Sequence, residues 1–348
     1  MSNKEKIKLT HYSHGGGWAC KIGPDDLAQV LSKIEKPKFG NIIVGFDQSD
    51  DAAVIDIGND KLLVQTVDFF SPIVDDPFEF GKIAAANSLS DIYAMGAKPL
   101  FALNIVGFPI DKLPKDTLVE ILRGGNEIAN SAEISIIGGH TIDDAEPKYG
   151  LVVSGEVKKE NLIKNSGAQP EDVILLTKSI GTGILSNASK KGIITAEEFN
   201  IAKLSMMELN KEVGSSMKNF NVNAATDVTG YGLLGHLYEM CKSSQVSAKI
   251  YFDKVPFFEK VNHSIQNGAI PGGTKRNLKF FSNYIDFNTE LEDHQKLMLA
   301  DAQTSGGLLI AMPEKNIDEF IAHCKSKNTS INAIGKFYSS GEPSIQIQ

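Results

Sequence analysis

Arginine is nearly absent from this chain: Arg123 and Arg276 are the only two. Buried carboxylates therefore have few bidentate partners available to them. Cysteine is as scarce. Cys20, Cys241 and Cys324 lie far apart and form no CxxC pair. That excludes a disulfide framework and fits a reducing cytoplasm. No apolar run approaches the ~20 residues that a membrane helix needs, so no membrane partner is expected. The basic N-terminal stretch lacks the apolar segment of a signal peptide. Positive charge is also in deficit: the net charge is -8, which argues against a fold-wide basic face for nucleic acid. There is no GxxxxGK[ST] phosphate loop and no short-period repeat.

What is there suffices for a folded enzyme-sized chain. Its 348 residues exceed the ~250 to 300 at which single cores stop growing, so two domains are expected. Residues 1–40 read as a glycine-rich mobile arm and a short helix, "GPDDLAQVLSKI", with Pro24 at its start. Strands follow in "NIIVG", "AAVIDIG" and "KLLVQTVDFF", the last two joined by a turn at "GND". A helix is expected from about Pro77 to Met95, with Asp76 as N-cap, Glu79 as the reciprocal acid and Gly96 as the stop. "LFALNIVGF", "ISIIGGHT" and "YGLVVSGEV" read as strands, and "KDTLVEILRGGNEIANSA" as a helix with an awkward Gly124-Gly125.

The pattern restarts near residue 160. "DVILLTKSIGTG" is a buried strand entering a glycine loop, and a long helical stretch covers about 196–219. "NAATDVTG" is strand and turn, "YGLLGHLYEMCKSS" a helix, and "AKIYF" a strand. "GGLLIAM", "EKNIDEFIAHCKSK" and "INAIGKFY" close the chain as strand, helix and strand, while 254–300 gives no clear pattern. The class is α+β, or mixed α/β. The expected domains are 41–160 and 170–348, divided in the polar stretch between about 158 and 171.

The chemistry is signalled by acids. Asp50 and Asp51 in "SDDAAV", Asp68 in "TVDFF", Asp91 in "NSLSDIYAMG" and Asp227 in "ATDVTGYG" all sit beside small or apolar residues. A buried carboxylate needs a partner. With arginine so scarce, a hard cation such as Mg²⁺ is the better candidate for the set, although each aspartate alone also suits a cap or turn. Gly138-Gly139 ends a β-branched run, so its N–H groups suit a phosphate or ribose, with His140 and Thr141 as added donors. Gly230, Gly232 and Gly235 spell GxGxxG with Asp253 further on, a dinucleotide pattern. The polar strand before it and the charge of Asp227 speak against that reading. In "HYSHGGGWACKI", Lys21 is a candidate to neutralise charge on a triphosphate. Cys20 is a nucleophile or a small buried residue, and His11 and His14 are weak ligand candidates.

These stretches together resemble the selenophosphate synthetase (selenide, water dikinase) family. The similarity runs through "LTHYSHGGGWACKI", "SDDAAV", "TVDFFSPIVDDPFEFGKIAAANSLSDIYAMGAKP", "IGGHTIDDAEPKYGLVVSGEV", "TDVTGYGLLGHLYEMC", "GAIPGGTKRN" and "DAQTSGGLL". It implies a two-domain aminoimidazole ribonucleotide synthetase-like fold, whose N-terminal halves pair into a β-barrel in a homodimer. It implies that ATP, selenide and water give selenophosphate, orthophosphate and AMP with Mg²⁺. Lys21 matches the family's catalytic lysine. Asp51, Asp91 and Asp227 match metal ligands. Asp68, Asp91, Gly139, His140 and Thr141, with Lys21, match ATP-site residues, and Gln48, Ser49 and Asp50 a second nucleotide loop.

Trp18 departs from the family, which has cysteine or selenocysteine there. An indole N–H only donates, so it neither attacks nor carries selenium. Cys20 lies on the same side of an extended segment. Three accounts fit: a UGA codon rendered as tryptophan, a nucleotide-binding relative with lost or altered selenide chemistry, or a cysteine that the chemistry does not need.

Overall fold

The computed structural model describes residues 8–12, 16–17, 30, 33–34, 40–45, 50–339 and 341–348. The expected helix at 23–34 falls almost wholly outside them.

Residues 42–158 build a six-stranded sheet: β1 (Ile42–Val44), β2 (Ala53–Gly58), β3 (Lys61–Phe70), β4 (Lys98–Phe108), β5 (Ser135–Asp143) and β6 (Lys148–Lys158). Its order is β1-β2-β3-β6-β4-β5, and only β4 and β5 run parallel. Asn59 and Asp60 turn β2 into β3 with φ of 54° and 61°, the left-handed pair that a two-residue hairpin favours. On β3 the alternation is strict enough to define faces. Leu62, Val64 and Thr66 point inward, whereas Val67 and Phe69 remain 53% and 46% exposed.

Two helices cover the inner face, α1 (Pro77–Ala94) and α2 (Lys115–Ser131). Asp76 caps α1 by accepting from the Glu79 N–H at 3.0 Å, Pro77 opens it, and Gly96 ends it at φ 67°. Glu79 does not return to the cap. Its carboxylate takes the Lys203 ammonium at 2.8 Å instead. The awkward glycines of α2 are explained by its crossing with α1. A Cβ on Gly124 would lie 2.1 Å from the Phe78 carbonyl oxygen, and one on Gly81 1.9 Å from that of Ile121. The two helices touch backbone to backbone there.

The second sheet comes from 172–347: β7 (Asp172–Leu176), β8 (Ala224–Asp227), β9 (Ser247–Ile250), β10 (Ile285–Phe287), β11 (Leu308–Pro313), β12 (Asn332–Tyr338) and β13 (Ile345–Ile347). The order is β10-β13-β9-β12-β7-β11-β8. Its helices are α3 (Thr182–Lys190), α4 (Ala196–Met207), α5 (Lys211–Met217), α6 (Gly232–Ser244), α7 (Val261–Gln266), α8 (Gly272–Phe281), α9 (Asp293–Leu299) and α10 (Ile317–Ser326). The single helix expected at 196–219 is two, because the Ser205 and Glu208 carbonyls turn to the Lys178 ammonium and Asn210 spends its amide on Ser90 and Gly306. The dinucleotide reading fails: β8 pairs only with β11, antiparallel, so no parallel strand pair flanks α6.

Helix α1 is the hinge between the two sheets. It packs on β3 and β6 on one side and on α4, α5 and β8 on the other. Being wrapped from both sides, it buries Asn87, Ser88, Ser90 and Asp91 along with its alanines. No described helix is long and apolar enough to cross a membrane.

Candidate active site

Helix and strand periodicity bring the first acids together. Asn87 and Asp91 are one helical turn apart on α1, and Thr66 and Asp68 are two apart on β3, so each pair shares a face. The Asn87 amide donates to Asp68 Oδ2 at 2.8 Å, and the Thr66 hydroxyl donates to Asp91. Ser88 adds a hydroxyl bond to the Asp68 carbonyl. Asp51 arrives from the segment before β2 and Asp227 from the end of β8. The Thr226 hydroxyl, next to Asp227, donates to Asp51 Oδ1 at 2.6 Å. Three separate elements thus deliver Asp51, Asp91 and Asp227, with one carboxylate oxygen from each within 4.8 Å of the others.

Three carboxylates so close, in a buried place, repel one another. Asp91 is 6% exposed and Asp227 2%. Burial holds Asp51 and Asp91 well above the usual carboxylate range. For Asp51 the charges of Asp227 and Asp50 add to the rise, and for Asp91 those of Asp68, Asp227 and Asp51. Asp50 is pushed up to about 6 by burial, against the backbone N–H bonds of Asn165 and Asp51, both 3.1 Å, and the charge of Lys164. Of the two arginines, Arg123 pairs with Glu120 at 2.7 Å on the surface of α2, and Arg276 lines a cavity that none of these acids line. Asp51 Oδ2 is buried and has no hydrogen-bond partner among the described residues. A buried, unsatisfied oxygen on one of three acids whose oxygens gather within 4.8 Å suits an oxygen-ligated divalent cation such as Mg²⁺.

The remaining expected residues are less gathered. Gly139, His140 and Thr141 lie in a strand, not a loop. They form the exposed outer edge of β5, in register with Asn104, Ile105 and Val106 of β4. Gly139 is needed there, because a Cβ would meet the Asn104 carbonyl oxygen at 2.4 Å. His14, Trp18, Cys20, Lys21, Gln48 and Ser49 lie outside the described residues, while His11 is exposed in a short 3₁₀ turn. Around that turn the arm is seated. Leu9 is fully buried, Thr10 donates through N–H and Oγ1 to Asp75 at 3.1 and 2.6 Å, and Gly17 N–H donates to the Ser71 carbonyl at 3.0 Å. A separate cavity of about 870 Å³ beside the arm is lined by Asp75, Glu79, Lys190, Lys203, Arg276 and Thr304, and by none of the five acids.

Sequence reading missed several polar groups. Asn87 and Thr226 were signalled by their spacing from Asp91 and Asp227. Lys178, Asp301 and Gln303 carried no local signal. Asp301 accepts from the N–H groups of Gly183 and Ile184 at 3.0 and 3.1 Å and from Thr274 Oγ1 at 2.7 Å, tying α3 to α8.

The sheets, their order and the acid cluster between them define a class, and two family descriptions match it. Residues 49–157 match the AIR synthase related protein N-terminal domain, and 169–348 the C-terminal domain. Solved structures share the fold at low identity. A thiamine-monophosphate kinase from Stenotrophomonas maltophilia superposes with a TM-score of 0.66 at 18% identity, covering 94% of this chain and 96% of its own. A protein from Thermus thermophilus does so at 0.69 and 18%, covering 94% and 97%.

Closer relatives narrow the class. A selenide, water dikinase from Caldanaerobacter subterraneus is 48% identical over 93% of both chains. Another from Carboxydothermus hydrogenoformans is 46% identical over 95% of this chain and 96% of its own, and one from Haemophilus influenzae 42% over 99% of both. The chain belongs to the selenide, water dikinase family.

Proposed function

We propose that this chain converts ATP, selenide and water to selenophosphate, orthophosphate and AMP. The reading is supported by family membership and carried by one observation: carboxylates from both halves of the chain meet, and one of them, Asp51, has a buried oxygen with no hydrogen-bond partner among the described residues. Two phosphoanhydride bonds break. One phosphoryl group goes to selenide and one to water, and AMP leaves. Asp51, Asp91 and Asp227 would hold Mg²⁺, which neutralises phosphate charge when bound. Asp68 and Asp50 flank them at the ATP phosphates. Gln48, Ser49, Gly139, His140 and Thr141 contact the rest of the nucleotide. Lys21 sits four residues beyond the seated Gly17, within ~14 Å of it at full extension, and stabilises charge that develops on transfer.

The working unit is a cytoplasmic homodimer, each chain made of the arm, a domain over 41–160 and a domain over 170–348. The outer face of the first sheet supports the pairing. Val67, Phe69, Leu100, Ile137 and Ile142 are each at least 43% exposed there, an apolar face that closure into a β-barrel with a second copy would bury.

The test is AMP formation from ATP with Mg²⁺. AMP is expected only when selenide is present, and Lys21→Ala should abolish it. Trp18→Cys, run alongside, reports whether the indole limits turnover. AMP release that ignores selenide would point instead to a nucleotide hydrolase of the same fold.

A further inference from the structure

The turn after Ala302 threads a slot too narrow for side chains. A Cβ on Gly306 would lie 2.1 Å from the Val228 carbonyl oxygen, and one on Gly307 2.5 Å from the Lys178 nitrogen. Ser305, just before them, is 1% exposed and sits at φ 49°, a left-handed conformation that a serine adopts only when its surroundings impose it. Its carbonyl accepts from a buried lysine. Lys178 is 9% exposed, and its ammonium donates to three backbone carbonyls: Glu208 at 2.7 Å, Ser205 at 3.0 Å and Ser305 at 3.2 Å. It forms no ion pair within 4.0 Å among the described residues. A buried cation used in this way is a three-way fastener of main chain, since an ammonium has three donors and no acceptor.

The fastened turn touches both halves of the acid cluster. On one side the Ser305 N–H donates to Asn87 Oδ1 at 3.0 Å, and the amide of the same Asn87 holds Asp68. Asp91 is one helical turn further along α1. Asn210 adds a second tie, donating from Nδ2 to the Gly306 carbonyl at 2.9 Å and to Ser90 Oγ at 2.8 Å. On the other side the Val228 N–H donates to the Gly307 carbonyl at 2.9 Å, and Leu308 pairs with Asp227 in the β8–β11 register. One turn therefore bonds to the elements that carry Asp227, from the second sheet, and Asp91 and Asp68, from the first, in addition to the direct packing of α1 on β8. Mg²⁺ takes its oxygens at ~2.0–2.1 Å in near-octahedral geometry, so a shift of a few tenths of an ångström between the halves matters to it.

We propose that Lys178 is a positioning residue of the metal site: by fastening the 305–308 turn it fixes the spacing between the carboxylates of the two halves. The inference rests on the reading that Asp51, Asp91 and Asp227 hold a divalent cation. Replacing the ammonium with an apolar group of similar length takes a donor from all three carbonyls and leaves Ser205 only the Glu208 N–H, so the turn must move to let water reach the others.

The test is titration of the full chain with Mn²⁺ alone, followed by electron paramagnetic resonance, with circular dichroism and melting temperature recorded on each variant. The wild-type chain should bind Mn²⁺. Lys178→Met should bind it at least tenfold more weakly while keeping its secondary structure, Asn210→Ala more weakly by a smaller factor, and the surface control Lys82→Met as wild type does. Should Lys178→Met fail to fold, Asn210→Ala decides alone. A lower melting temperature with unchanged Mn²⁺ affinity in the folded variants would make Lys178 a purely structural residue and overturn the proposal. A wild-type chain that binds no Mn²⁺ would overturn the metal reading beneath it.

Discussion

Asp51 illustrates how a single side chain reveals its role by being poorly satisfied. One oxygen has the Thr226 hydroxyl, the other has nothing among the described residues, and Asp227 and Asp50 press on it with like charge. Without a cation the arrangement costs stability. Removing the charge should therefore help the metal-free fold and harm the loaded one. Asp51→Asn is expected to raise the melting temperature of the metal-free protein by a few degrees, and to lose the further rise that Mg²⁺ gives the wild-type chain. Differential scanning calorimetry with and without Mg²⁺ reads both, and a variant that kept the Mg²⁺ response would remove Asp51 from the ligand set. The acids were legible in the sequence because each sat among small and apolar neighbours with almost no arginine to pair with. Lys178 was not, because its partners are backbone carbonyls 27 to 127 residues away, and a backbone partner leaves no mark on composition.

At the scale of elements, the helix crossing of α1 and α2 is a contact with no slack. Gly81→Ala would drive a methyl group onto the Ile121 carbonyl oxygen. Overpacking of this kind costs on the order of 1–3 kcal/mol, and urea unfolding should show a loss of that size. The same substitution at Gly341, where a Cβ meets nothing within 4 Å, should be close to neutral. Asp301 makes an element-scale prediction with pH. Burial pushes its carboxyl up to about 7, in spite of the bonds from Thr274, Ile184, Gln303 and Gly183. Because the folded value lies above the unfolded one, the native state holds a proton that the unfolded chain has released between about pH 4 and pH 7. Its contribution to stability is complete below that window and is lost as the pH rises through it. The difference in melting temperature between pH 5 and pH 7.5 should accordingly shrink in Asp301→Asn, and an unchanged difference would assign the slope to other groups.

Most elements could be placed from periodicity and caps, Asp76 and Gly96 around α1 being the clearest case. Boundaries failed where tertiary bonds took over the backbone. At the break between α4 and α5 the Ser205 and Glu208 carbonyls, groups that a continuous helix would need, turn to the Lys178 ammonium, and nothing local announces it. The stretch 254–300 was illegible because its short helices and the three-residue β10 carry too few turns to show a period.

For the whole molecule, the outer face of the first sheet is the feature a lone chain leaves unresolved. Val67 and Phe69 alternate with inward residues on β3, so they are exposed by strand geometry and not by a loose fit. Phe69→Glu is expected to convert a dimer into a monomer in analytical ultracentrifugation, with the acid cluster, on the inner side of the same strand, left in place. A wild-type chain that sediments as a monomer at micromolar concentration would remove the homodimer from the account.

The central claim is that acids from both halves hold Mg²⁺ against the phosphates of ATP. A crystal structure of the full chain with Mg²⁺ and a non-hydrolysable ATP analogue tests it most directly. The account predicts metal density bridging Asp51, Asp91 and Asp227 to the analogue's phosphate oxygens at ~2.0–2.1 Å. Phosphates bound elsewhere, with those three carboxylates holding no ion, would contradict it.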